Sequence, residues 1–158
     1  MAKLERPYFY TAIDLDYLPL GPYDDMRHIT VTPPVTELPE APIDMIVDAL
    51  QKRARSIGTL TLAVADLALF GPEQTIPVRT IADPSGLLAL THRRMLAVLT
   101  EHGYAIDSTY TGDNYHPHTT LVANQPTPEG IIHVESLVVA RSTAPGTKEI
   151  YAQIPLHA

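Results

Sequence analysis

Apolar and polar positions alternate in YFYTAIDL, Tyr8 to Leu15, and the stretch is rich in aromatic and β-branched residues, which predicts a strand. YLPLGPYDDM, with two prolines and a glycine, reads as a loop. RHITVT reads as a short strand stopped by Pro33-Pro34. The period then changes. Ile43, Ile46, Val47, Leu50, Ala54 and Ile57 recur at helical spacing and Gly58 follows as a C′ residue, so a helix is expected over 43–57. TLTLAVADLALF predicts a long strand ending at Gly71-Pro72, and IPVRTIA predicts another. Asp83-Pro84 reads as an N-cap with proline in the first turn, and Leu87, Leu88, Met95, Leu96 and Leu99 carry a second helix to Gly103. A polar loop, DSTYTGDNYHP, leads into a strand HTTLVA, and two more strands are expected near 131–140 and 149–155.

The order is therefore β, β, α, β, β, α, β, β, β, with one helix and one short His-bearing strand in each half. It predicts an α+β, two-lobed architecture: antiparallel sheets flanking a central cleft, with helices on the outer faces. No repeat relates the halves and no linker divides the 158 residues, so a single domain over 1–158 is expected.

Composition removes several function classes. Apolar residues make up 45%, the content of a globular chain. The longest apolar run, LTLAVADLALF, contains Asp66 and falls short of the ~20 residues of a membrane helix. MAKLERPYFY lacks the apolar region of a secretory signal, and a cytoplasmic location is expected. With no cysteine, thiolate catalysis, disulfides and Cys-type zinc sites are excluded. The net charge is −7. The eleven Lys and Arg are scattered apart from KRAR at 52–55 and Arg93-Arg94, both on helix faces. A basic stripe for a long nucleic acid is absent, which favours a small phosphate ligand.

The chemistry gathers in RHITV and NYHPHTTLV. Side chains of a strand alternate faces, so His28 and Thr30 share one face, as do His118 and Thr120. Each strand thereby offers an imidazole beside a hydroxyl. The hydroxyl can donate to a non-bridging phosphate oxygen, and the imidazole can give or take a proton at a bridging one. Chance alone supplies roughly 0.75 His-x-Thr triplets at this composition. The context adds to the count: each triplet begins a short strand, follows a polar loop and lies in its own half of the chain.

This paired pattern resembles the two-histidine (2H) phosphoesterase superfamily, which includes 2′–5′ RNA ligase-like proteins and 2′,3′-cyclic phosphodiesterases. FYTAIDL resembles that family's first strand, LALFG its central strand and YHPHTTL its second motif. VESLVVARS followed by YAQIPL resembles its closing strands, so the likeness spans nearly the whole chain. Two features depart from the pattern: Arg27 precedes the first motif where an apolar residue is commoner, and the link to the first helix is proline-rich. The resemblance implies metal-independent phosphodiester chemistry with no cofactor. His28 and His118 would act as general base and general acid, in an order the sequence leaves open, and Thr30 and Thr120 would hold the non-bridging oxygens.

Other residues carry lesser expectations. Tyr8, Tyr10, Tyr110, Tyr115 and Tyr151 are candidates for stacking a base, Tyr10 and Tyr115 foremost. Arg27 and Arg141 are candidates for steering phosphate. His116 is read as a loop residue, because Pro117 starts the strand late; the rival reading pairs it with His118, His28 and Asp113 around a metal. His92 and His102 are placed on the surface of the second helix. The expected partner is a small nucleotide or short oligonucleotide, with no membrane. A 2′,3′-cyclic phosphate, a 2′–5′ linkage and a cyclic oligonucleotide, including a signalling nucleotide cleared by a virus, all stay open. The alternatives are RNA-end processing on longer RNA and nucleotide binding without turnover.

Overall fold

The computed structural model describes residues 7–109, 111–122, 125–144 and 146–156. Among them the chain forms strands β1 (Tyr8–Asp14), β2 (Gly21–Pro22) and β3 (His28–Thr36), helix α1 (Ile43–Ala54), strands β4 (Leu60–Phe70) and β5 (Ile76–Ala82), and helix α2 (Leu87–Glu101). A 3-10 turn at Gly112–Asn114 precedes β6 (His118–Thr120), β7 (Ile131–Val134), β8 (Ser136–Ala144) and β9 (Thr147–Pro155). The strands form two sheets, ordered β2-β9-β8-β1-β3 and β6-β5-β4-β7, and every pairing in them is antiparallel. No helix among the described residues is long and apolar enough to cross a membrane.

The α+β order expected from the sequence is present, with instructive differences. β3 does not stop at Pro33-Pro34 but runs through them to Thr36. It can do so because β3 is the edge strand of its sheet, where a residue lacking an N–H removes no central ladder bond. The single strand expected at 131–140 is two strands in different sheets, changing at Glu135: β7 pairs with β4, β8 with β1 and β9. Local apolar pattern does not encode which sheet a strand joins. β6 is only three residues long. α1 ends at Ala54, and the chain turns through Ile57 to Gly58, whose φ of +86° suits glycine. α2 begins at Leu87, three residues after Pro84, yet Asp83 still caps it, accepting from the N–H of Leu88 (3.1 Å) and Ala89 (2.9 Å).

Both helices are amphipathic, and their buried stripes meet one core. Ile46 and Leu50 of α1 and Leu88, Met95 and Leu99 of α2 pack with Phe9, Ile29 and Val31 of the first sheet and Leu60 and Leu62 of the second. The opposite face of the first sheet carries a second, smaller cluster, Ala12, Met26, Val138, Ala140 and Ile150. Register puts the candidate site on this second face: Asp14 lies opposite His28 and Ala12 opposite Thr30, and opposed residues share a face. The helices thus cover one side of the sheet and leave His28 and Thr30 on the other.

Leu50 is fully buried where α1 meets this core. Leu50→Ala is expected to lower the free energy of urea unfolding by about 2–5 kcal/mol. A loss under about 1 kcal/mol would mean that the helix is not held by this packing.

Candidate active site

His28 begins β3 and is held by its own backbone: its Nδ1 donates to the Met26 carbonyl at 2.9 Å. His118 begins β6 and repeats the arrangement, Nδ1 donating to the His116 carbonyl at 2.8 Å. A carbonyl can only accept, so the proton of each neutral ring is on Nδ1 and Nε2 is the nitrogen left for substrate. The rings have aromatic neighbours, Tyr10 at 5.5 Å from His28 and Phe70 at 4.6 Å from His118. Burial holds His28 below the usual imidazole pKa. The bond to Met26 works against that shift, while the charge of His118, across the cleft, reinforces it.

Thr30, His118 and Thr120 line a pocket of about 600 Å³ whose other walls include Pro33, Phe70 and Ile76. His28 stands just outside it, two residues from Thr30 on the same strand face. Among the described residues the pocket lining contains no Lys or Arg, so hydroxyls and imidazoles would have to hold an anion. A smaller cavity of about 380 Å³ lies beside Asp14 and reaches Glu135. Two carboxylates line this cavity, against one, Asp107, in the larger pocket, which makes the larger pocket the better seat for a nucleotide.

The structure relocates several residues singled out in the sequence. Tyr10 stays on the His28 side, its hydroxyl near that of Tyr23 at 3.5 Å. Tyr115 lines the pocket, but its hydroxyl donates to the Thr30 carbonyl at 2.7 Å and its ring stacks on His92, centroids 3.9 Å apart and planes 7° from parallel. One face of the ring and its hydroxyl are therefore engaged in structural ties, a role the sequence reading of Tyr115 as a base-stacking residue did not include. Arg27 is bound to Asp16 (2.6 Å) and to the Pro126 carbonyl, which neutralises and anchors the cation expected to steer phosphate. Arg141 is corrected outright. It lies opposite Phe9 on the core face, away from His28, and is clamped bidentate by Glu37 at 2.7 and 2.9 Å. Tyr151 stands under that guanidinium and bonds Asp44, far from the pocket lining. Tyr110 lies outside the described residues.

His92 is the largest departure. Expected on the helix surface, it is 1% exposed and has both nitrogens bonded: Nδ1 donates to the Val31 carbonyl (2.6 Å) and Nε2 accepts from the Gly112 N–H (2.9 Å). Helical spacing could have revealed it, since it falls four residues after Leu88 and three before Met95 on the buried stripe. Phe70 was passed over too; it closes β4 and covers the His118 ring. Asp113, proposed as a metal partner, is drawn instead to Arg93 at 2.5 Å. Among the described residues no group of three or more His, Asp or Glu is gathered as a metal site.

No family model and no curated protein matches the sequence. Solved structures do match its shape. Escherichia coli LigT complexed with NADP+ superposes with a TM-score of 0.64 at 19% identity, covering 98% of this chain and 100% of that one. TT0787 of Thermus thermophilus gives 0.67 at 16% identity, with 96% and 98% covered. Usb1 of Kluyveromyces marxianus gives 0.54 at 8% identity, with 95% and 97% covered. The chain shares its fold with these structures and with a crystal structure described as a phosphoesterase, which gives a TM-score of 0.65 at 19% identity. Within this fold the two His-x-Thr strands occupy edges of the two sheets, β3 and β6, where the sheets come into contact.

Burial also lowers the pKa of His92. A histidine whose folded value lies below its unfolded ~6.5 takes up fewer protons when folded, so its contribution is complete above that pH and is lost as pH falls beneath it. Urea stability is therefore expected to decline from about pH 7 to about pH 5, and less steeply in His92→Gln. Stability that stays level or rises over that interval would contradict the burial of these rings.

Proposed function

We propose that this chain is a phosphodiesterase that cleaves a small nucleotide phosphodiester by general acid–base catalysis between His28 and His118. The observation that carries the reading is the matched anchoring of the two rings. Each begins a strand, each is fixed through Nδ1 to a carbonyl two residues back, and each is flanked by a threonine on its own face.

Burial favours neutral His28, which suits it to the base: its Nε2 takes a proton from an attacking water or ribose hydroxyl as the new P–O bond forms. Protonated His118 then gives its Nε2 proton to the leaving oxygen as the old P–O bond breaks. Thr30 and Thr120 donate their hydroxyl protons to the non-bridging oxygens, where charge builds. Imidazoles and hydroxyls suffice for every step, so the reading is metal-independent. Phe70, Ile76 and Pro33 give the adjoining pocket the apolar walls that a nucleobase needs. E. coli LigT, of the same fold, has been crystallised with 3′-AMP and with NADP+, both nucleotides. The charge of −7 and the absence of Lys and Arg from the pocket lining among the described residues favour a small substrate over long RNA.

The test is turnover of 2′,3′-cyclic nucleotides, 2′–5′ and 3′–5′ dinucleotides and cyclic dinucleotides in the presence of EDTA. Cleavage of at least one is expected, with kcat reduced at least about 100-fold in His28→Ala and in His118→Ala. Cleavage abolished by EDTA, or tight nucleotide binding with no turnover, would overturn the reading.

A further inference from the structure

β3 carries an irregularity beside the candidate site. Thr11 lies opposite Thr32 and Ala12 opposite Thr30, so Val31 is an extra residue, a β-bulge one position past Thr30. The carbonyls at this bulge receive side chains from elsewhere in the chain, Tyr115 on Thr30 and His92 on Val31. Tyr115 lies three residues before His118. The second nitrogen of His92 reaches the same segment, accepting the Gly112 N–H where the chain turns at φ +62°. The Val31 carbonyl must accept and the Gly112 N–H must donate, so the ring is the neutral tautomer with its proton on Nδ1. Burial pushes the Tyr115 hydroxyl pKa up, which keeps it a donor.

We propose that His92 and Tyr115 are positioning residues, which fix the Thr30 strand of one sheet against the segment that delivers His118 from the other. The proposal rests on His28 and His118 being the catalytic pair. The need for such a brace follows from the lengths involved. β6 has three residues, and its register with β5 spans only His118 to Thr120. A ladder that short fixes a ring poorly, while a misplacement of about 1 Å in an acid–base pair costs about 100-fold in rate. The brace supplies three bonds between 2.6 and 2.9 Å and a stacked ring pair: Tyr115 ties residues 112–115 to Thr30 directly, and His92 of α2 ties Gly112 to Val31 while stacking on Tyr115. The Arg93–Asp113 ion pair adds an outer tie between α2 and the same segment. The polar atoms of both braces are occupied by backbone groups, so what they offer the pocket they line is ring surface, and their polar influence on a substrate passes through Thr30 and His118.

Tyr115→Phe keeps the ring stack and removes only the bond to Thr30, while His92→Gln removes the stack. Both variants, with the wild type, would be taken through kcat and KM on the cleaved nucleotide, thermal melting, and two-dimensional NMR of the backbone amides. The expected result is kcat lowered about 10- to 100-fold with KM within about twofold, in a protein still folded, and displaced amide signals for both Thr30 and His118. Wild-type kcat in both variants, or displacement confined to the mutated segment, would overturn the proposal. A wild type that turns over no nucleotide would overturn the phosphodiesterase reading instead, and the NMR would still decide whether the brace couples the two strands.

Discussion

An imidazole can act as a directed acid or base only when one nitrogen is tied down and the other is presented to the substrate. This chain meets that constraint twice by the same local means, a bond from Nδ1 to the carbonyl two residues earlier at His28 and at His118. Both bonds depend on the chain entering a strand at the histidine itself. Met26 lies in the loop two residues before β3, and Pro117, which offers no donor to a ladder, separates His116 from β6. The two strands therefore start where the chemistry starts, and each carries its threonine two residues on, on the same face.

Packing then decides which face is which. The helices take the side bearing Ile29 and Val31, and this forces His28 and Thr30 to the side floored by Ala12, Val138 and Ala140. Tyr10 packs against this smaller cluster and stands next to His28. Because β3 and β6 are edge strands of different sheets, the pair is assembled by tertiary contact alone. His92 and Tyr115 bridge that junction through backbone groups rather than through an interlobe ladder.

Much of this was legible in the sequence, because it rests on short-range periodicity. The alternation in HITV and HTTL assigned the faces of His28, Thr30, His118 and Thr120 without any knowledge of the partner strand, and helical spacing located the buried residues of α1. The misplaced residues fall where tertiary pairing outweighs local pattern. The break at Glu135 depends on β7 choosing β4, and the passage of β3 through Pro33-Pro34 depends on its edge position. Arg141 was misjudged for a different reason. It shares strand parity with Leu137 and Val139, both buried in the core, so the period that placed the histidines also placed this guanidinium on the wrong face for a phosphate. His92 was likewise readable from its spacing, but a histidine on a buried helical stripe needs two partners, and those came from β3 and Gly112, far away in sequence.

The central claim is that one histidine must be neutral and the other protonated at the same moment. The pH dependence of kcat/KM, followed from about pH 4.5 to about pH 9, tests it most directly. A bell is expected, with an acidic limb below about 6.5 set by His28, because burial lowers its pKa. A profile without an acidic limb, or a bell that survives unchanged in His28→Ala, would contradict the account.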